Sequence, residues 1–323
     1  MLKSKVFAAS DAHSGSKERL SPGDEPLRLR KQNEHIRDHR ITFFPQDHKY
    51  VLDSGACTEY TFPCSVSGIC SKYFEEFDAT AVCNQYYEKW AGDSLSPYFA
   101  IIESGRAGGL SNEEIKYKIC NDWRVSGEKA AEEGTKMHKA IELALNGCAY
   151  EYSSIEICYF HNYVKEYLEP RGWQAFRTEW SIYDLSAGVA GQIDCVFYDA
   201  SADAFHLVDW KRSKKVLEPD TGICFGRRGR PPCEKLIDNA WSRYALQQNL
   251  YAEILKRHYG IVVSTLSLAQ VHRDLPGYRI IEIPLMAELA TAVLDTCSGH
   301  QTPSGVVNCN GVVQRQRSRS RSH

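Results

Sequence analysis

The stretch that decides the fold runs Phe176-Arg-Thr-Glu-Trp-Ser-Ile-Tyr183, Val189-Ala-Gly-Gln-Ile-Asp-Cys-Val-Phe197 and Phe205-His-Leu-Val-Asp-Trp-Lys211. Its three segments are rich in the β-branched and aromatic residues that suit a pleated, half-buried surface. They are joined by Asp184-Leu-Ser-Ala-Gly188 and Asp199-Ala-Ser-Ala-Asp203, short polar runs that favour turns. The pattern predicts three successive antiparallel strands. Alternate side chains of a strand share a face, so Asp209 and Lys211 point together while Trp210 faces the other layer. Asp194 lies on the preceding strand, within reach of Asp209 across the hairpin. Two carboxylates at one place repel unless a cation separates them, so the spacing asks for a hard divalent ion, Mg²⁺ or Mn²⁺, held by oxygen.

Working outward, Trp241 to Tyr259 has helical spacing and Val262 to Val271 reads as a further strand. A helix packed on a mixed sheet is the economical arrangement. On that helix Tyr244, Gln247 and Tyr251 form a polar stripe beside Leu246, Leu250 and Ile254, as at the edge of a site. Upstream, the spacing from about Ser65 to Leu145 is mostly helical. Within it, Gly134-Thr-Lys-Met-His138-Lys-Ala-Ile-Glu142 puts His138 and Glu142 one turn apart on one face. His138 could supply a nitrogen ligand; Glu142 is equally explained by a helix ion pair with Lys139 or Lys136. Before these helices, Ile41-Thr-Phe-Phe44 and Lys49-Tyr-Val-Leu52 flank Pro45-Gln-Asp-His48 and read as a hairpin, a small lid or platform.

Charge distribution says more than total charge. Lys plus Arg number 39 against 41 Asp plus Glu, a net of −2, which gives no reason to expect a polyanion partner. Between Lys211 and Lys235, however, eight Lys or Arg stand against three Asp or Glu. Lys214, Lys215, Arg227, Arg228 and Arg230 there would make a phosphate track whose affinity falls steeply with salt. No stretch approaches the roughly eighteen apolar residues of a membrane helix, so an intracellular, soluble protein with no membrane partner is expected. A mitochondrial leader stays open but weak, because Asp11, Glu18, Asp24 and Glu25 interrupt the basic character. Residues 1–40 read as a disordered polar arm. Residues 296–323 read as a disordered tail whose Arg-Ser repeat is either a nuclear address or a solvated end, so nucleus and cytoplasm both stay open. The twelve Cys lack the paired short spacing of a zinc site and read as free thiols.

Taken in order, His138, Gly191-x-x-Asp194, Asp209-x-Lys211 and Gln247-x-x-x-Tyr251 resemble the RecB-type branch of the PD-(D/E)xK nuclease superfamily. The longer phrasing is similar to RecB-like proteins of protists and giant DNA viruses: Ser65-Val-Ser with Phe74-Glu-Glu-Phe-Asp, then Val208-Asp-Trp-Lys-Arg-Ser-Lys-Lys, then Tyr244-Ala-Leu-Gln-Gln-Asn-Leu-Tyr. The likeness covers residues 41–295. It implies an α/β fold with a restriction-endonuclease-like core, a mixed central sheet flanked by helices. A hairpin and helical part would fill 41–170, and the catalytic sheet and helix 171–295. It further implies that His138, Asp194, Asp209 and the Trp210 carbonyl bind the metal, and that Lys211 positions or activates water and stabilises the phosphate in the transition state. Gln247 and Tyr251 would hold Lys211 or the DNA backbone, Tyr244 would touch nucleic acid, and Glu142 and Glu179 would support the ligands. Some members hold an iron–sulfur cluster through three closely spaced C-terminal Cys; this sequence lacks that triplet, so no cluster is expected. The activity implied is metal-dependent DNA hydrolysis, exonuclease-like on single strands or duplex ends, in repair, recombination or replication. An inactive nucleic-acid-binding module and an RNA-directed nuclease are the alternatives.

Overall fold

The structure is a computed structural model and describes residues 27–55, 58–221, 226–298 and 307–308. A short helix, α1 (Arg28–Gln32), and a 3-10 turn (Ile36–His39) lead into the hairpin β1 (Ile41–Phe44) and β2 (Lys49–Gly55), extended by β3 (Thr58–Thr61). After β4 (Cys64–Ser65) come α2 (Val66–Tyr73), α3 (Ala79–Ala91), α4 (Phe99–Ala107), α5 (Asn112–Leu145), α6 (Ile155–Tyr163) and the single turn α7 (Glu169–Arg171). The meander follows as β5 (Trp173–Asp184), β6 (Val189–Asp199) and β7 (Ala204–Arg212). The chain continues through α8 (Ala240–Tyr259), β8 (Val263–Val271), β9 (Arg279–Ile283), α9 (Ala287–Ser298) and β10 (Val307–Asn308).

Local chemistry sets the ends of the two helices that frame the site. At the start of α5, Ser111 Oγ accepts from the Glu114 N–H while the Glu114 carboxylate accepts from the Ser111 N–H, so two otherwise orphaned donors are satisfied. α8 starts where the Asn239 side chain accepts from the Ser242 N–H. It stops at Gly260, whose φ of 67° is the left-handed conformation that ends a helix at least cost in glycine.

The sheet is mixed, as the spacing predicts. β6 pairs antiparallel with β5 on one edge and β7 on the other; β7 runs parallel to β8, and β9 returns antiparallel. One face packs Ile193, Val196 and Leu207 against Leu246, Leu250 and Ile254 of α8 and Val66 and Ile69 of α2. The other packs Cys195, Phe197, Val208 and Trp210 against Met137 and Ile141 of α5 and Ile157 and Phe160 of α6. α2, the later part of α5 and α6 therefore share the cores of the sheet, while α3, α4 and the start of α5 close on a cluster of their own around Tyr87, Ile102 and Ile115. β6 and β7 stay paired only from Asp199–Ala204 to Cys195–Val208, whereas β4 takes Val189 and Ala190 farther along the same edge. Between these pairings the two strands fork, and the candidate site occupies the fork.

The disordered arm expected over residues 1–40 needs correction at its end. Residues 28–32 and 36–39 are helical, and the segment is fastened to the sheet. Asp38 is buried, and its carboxylate accepts from Arg177 (2.5 Å), Trp180 Nε1 (2.8 Å) and the His35 N–H (3.0 Å). The buried partner lies over a hundred residues downstream, so no local periodicity could reveal it. Breaking such a pair leaves a charge buried without its counterion, which typically costs about 3–5 kcal/mol. Asp38→Ala is expected to lower stability by that amount in urea titration; a loss below 1 kcal/mol would show that the segment does not brace β5. Residues 1–26, 222–225 and the Arg-Ser tail lie outside the described residues. Among the described residues, no helix is long and apolar enough to cross a membrane.

Candidate metal centre

β5 and β6 bring two carboxylates face to face. Thr178 pairs with Cys195 and Trp180 with Ile193, so Glu179 stands opposite Asp194 across the ladder. Like charges directly opposite on neighbouring strands destabilise a sheet. Glu179 also has φ 45°, a left-handed conformation that costs a residue with a Cβ about 1–2 kcal/mol. Its carbonyl oxygen accepts from Gln192 Nε2 at 3.1 Å. The fold thus holds a strained backbone at the point where it opposes two negative side chains.

His138 of α5 completes the group. One ligand atom each of His138, Glu179 and Asp194 lies within 4.8 Å of the others. His138 Nε2 is 3.0 Å from the Trp210 carbonyl oxygen, which can only accept, so Nε2 carries a hydrogen and Nδ1 faces the carboxylates. Nδ1 is 3.5 Å from Asp194 Oδ2 and 3.7 Å from Glu179 Oε1. A lone pair aimed at two carboxylates needs a positive charge between them, either a proton or a metal ion. Burial lowers the affinity of His138 for a proton, but Asp194 and Glu179 outweigh it and raise its pKa to about 9. Burial also pushes the Asp194 carboxyl upward. At neutral pH a metal would displace the His138 proton. Two carboxylates and one imidazole, with space left for water and substrate oxygens, fit Mg²⁺ or Mn²⁺.

Of the metal set expected from the sequence, His138 and Asp194 come together with Glu179, while Asp209 is turned to a different partner. This carboxylate, 1% exposed, turns to the Lys211 ammonium at 2.6 Å and lies outside the His138–Glu179–Asp194 group. Glu179, expected only in support, stands in its place. The Trp210 carbonyl is engaged by His138, and the Trp210 N–H donates to Asp194 Oδ2 at 2.9 Å, replacing a ladder bond where the strands fork. The Trp210 ring packs against Phe160 and Tyr163 in the opposite layer, as strand alternation predicts.

Lys211 sits between its neighbours on β7 and α8. Besides Asp209, its ammonium lies 4.5 Å from the centre of the Tyr244 ring. Burial lowers its proton affinity, but Asp209 and Asp194 outweigh that and hold the amine above its ordinary range. Lys211 is therefore held protonated by its acidic neighbours. Tyr244 supports that charge instead of presenting its ring to the cleft. Asp209 is raised to about 6, by burial first and then by Asp194.

Gln247 and Tyr251 are joined by a hydrogen bond, Gln247 Nε2 donating to the Tyr251 hydroxyl at 3.1 Å. Gly191 explains why Tyr251 fits. A Cβ on Gly191 would stand 2.7 Å from Tyr251 Cε1 and 2.9 Å from Val66 Cγ2. Gly191→Ala is expected to displace the Tyr251 ring and lower stability by about 1–3 kcal/mol, as overpacking does. Tyrosine fluorescence and thermal melting would follow it; an unchanged melting temperature would show that the ring gives way freely.

A cleft of about 880 Å³ opens over this group, its lining including His138, Glu179, Asp194, Gln247 and Tyr251. Glu142 also lines it and pairs with Lys139 at 2.9 Å. The basic residues chosen from the sequence are placed elsewhere. Arg227 pairs with Glu75 at 3.0 Å, Arg228 donates to the Lys235 carbonyl, and Arg230 donates to the Lys72 carbonyl. They fasten their loop beside the end of α2. Lys214 pairs with Asp274 at 3.6 Å, and Lys215 is exposed. None of the five belongs to the cleft lining; Lys211 and Asp209 are not part of it either, but pair beside Asp194.

No family model matches the chain, and no curated protein matches it. Among solved structures, the crystal structure of SSO0001 is similar over 54% of this chain and 70% of its own, at 13% identity and a TM-score of 0.23. At that level the likeness carries no weight for fold or function.

Proposed function

We propose that the chain is a divalent-metal-dependent nuclease of the PD-(D/E)xK type, hydrolysing DNA phosphodiester bonds in an exonuclease-like manner on single strands or duplex ends during repair, recombination or replication. The observation that carries this reading is one imidazole nitrogen and two opposed carboxylates meeting at the floor of an open cleft, with a charged ammonium close by. His138, Glu179 and Asp194 would hold the ion. Bound there, Mg²⁺ or Mn²⁺ would lower the pKa of a water and offset charge growing on the scissile phosphate.

The protein's own groups divide the remaining work. Asp194, fixed by the Trp210 N–H, and His138, fixed by the Trp210 carbonyl, are oriented before substrate arrives. The Lys211 ammonium places a second positive charge where negative charge develops on phosphate oxygens, in surroundings partly closed to water. Asp209 and Tyr244 hold that ammonium in place. Gln247 and Tyr251 border the cleft with amide and hydroxyl groups able to bond a phosphate or an attacking water.

The test is end-labelled single-stranded DNA, duplex DNA and RNA incubated with Mg²⁺, Mn²⁺ or EDTA. The expected result is a ladder shortening from the end of DNA with either metal and no reaction in EDTA. DNA binding without cleavage under any condition would favour an inactive binding module. Preferential digestion of RNA would reassign the substrate.

A further inference from the structure

The cleft has two dissimilar walls that the metal centre does not require. One is the β1–β2 hairpin, which contributes Phe43, Pro45, His48 and Tyr50. Phe43 stacks on Tyr50 with ring centres 4.6 Å apart, and the His48 ring meets Phe43 edge-on at 5.3 Å. Tyr50 is buried beneath this stack, Phe43 is half-buried and His48 is exposed. Phe43 and His48 thus present aromatic surface to the cleft, with Tyr50 as their base. Phe43, His48 and Tyr50 line the same cleft as His138, Glu179 and Asp194, so the aromatic wall belongs to the cleft of the candidate metal centre.

Another part of the lining is α5, where the residues before His138 are small. Ala131, Gly134 and Thr135 line the cleft on the same face as His138. Glycine in a helix interior costs about 1 kcal/mol relative to alanine. Beyond its own helix backbone, no described atom lies within 4 Å of where a Gly134 Cβ would stand; the same holds for Gly127, but of the two only Gly134 lines the cleft. Open space is thus left on the His138 face of α5, in the same cleft that Phe43 and His48 line.

We propose that Phe43 and His48 form a stacking subsite for an unpaired DNA base, with the neighbouring backbone running along the Ala131–Gly134–Thr135 face of α5 toward His138. Stacking suits the site because every base has a π-face, whereas a base inside a duplex is already covered by its neighbours. The subsite rests on the nuclease reading for its purpose and selects strands that are single or frayed at the end.

The experiment uses the full chain with EDTA, so that no turnover intervenes. The probe is a short single-stranded oligonucleotide bearing a fluorescent base analogue quenched by stacking. Parent protein is expected to quench it. Phe43→Ala should weaken binding roughly five- to a hundredfold and abolish quenching, while Phe43→Tyr retains both. Gly134→Leu should raise the melting temperature, since leucine is the better helix former, yet weaken binding comparably. A matching oligonucleotide with an abasic position should bind the parent as weakly as the intact one binds Phe43→Ala. Unchanged quenching and affinity in Phe43→Ala, with its melting temperature intact, would overturn the subsite. Binding of blunt duplex as tight as that of single strands would overturn the selection. Cleavage with Mn²⁺, assayed in parallel, separates the two claims. If DNA is cut but stacking fails, only the subsite falls; if stacking holds but no metal supports cleavage, only the nuclease reading falls.

Discussion

Asp194→Asn is expected to cut DNA hydrolysis on the order of a thousandfold, about 4 kcal/mol of transition-state stabilisation, while leaving the protein folded. The substitution keeps size and keeps an oxygen able to accept from the Trp210 N–H, so the fork between β6 and β7 survives. What disappears is one of the two opposed charges that make the site attractive to a cation. Loss of groups that merely support a metal ligand already costs about 10–100-fold in affinity. Removing a ligand carboxylate should cost at least the upper end, read as Mn²⁺ affinity by calorimetry. Glu179→Gln should behave like Asp194→Asn. Asp209→Asn should instead leave Mn²⁺ affinity nearly unchanged, because Asp209 is committed to Lys211. This contrast separates a ligand set of His138, Glu179 and Asp194 from one that includes Asp209. Equal loss of metal affinity in Asp209→Asn, or full activity in Asp194→Asn, would contradict the assignment.

Lys211→Ala is expected to fail twice. Turnover should drop about 10²–10³-fold, the usual loss when one group stabilising developing negative charge is removed. Stability should also fall, by about 3–5 kcal/mol near pH 8, because Asp209 is left buried without its partner. The stability loss carries a pH signature. Asp209 already titrates near 6 rather than at the ordinary 3.8, with Lys211 holding it down, so the variant's carboxyl should rise further. Between 3.8 and that raised value the folded state binds more protons than the unfolded one, so stability falls as pH rises through the window. The penalty should therefore shrink at pH 4–5 and be largest at pH 8. Lys211→Met combined with Asp209→Asn should recover most of the stability without recovering turnover. Urea titrations at several pH values beside single-turnover assays would show this; restored activity in the double variant would remove the ammonium from the chemistry.

The sequence alone determined what depends on local pattern. Alternating apolar residues with short polar turns required the β5–β7 meander, the spacing from Trp241 to Tyr259 required α8, and the segments flanking Pro45 required the hairpin. The meeting of Asp209 with Lys211 and the opposite facing of Trp210 followed from strand alternation. Glu179 opposite Asp194 was within reach too, by counting back from the Asp184–Gly188 turn, but that count holds only if the ladder has no bulge between them. A bulge does occur nearby, between Ala175 and Arg177.

Tertiary structure alone decided the rest, because each outcome depends on groups distant in sequence. The fork of β6 from β7 separates Asp209 from Asp194 and turns one toward an ammonium and the other toward a histidine on α5. The choice of Asp38 as the counterion of Arg177 orders a segment whose composition reads as mobile. Of the cations in the 211–235 stretch, Arg227 and Arg230 are bound to α2 and its flank and Arg228 to its own loop, away from the cleft their charge count suggested. Periodicity specifies which face of an element is apolar; which charges share a desolvated space is settled only when the elements pack.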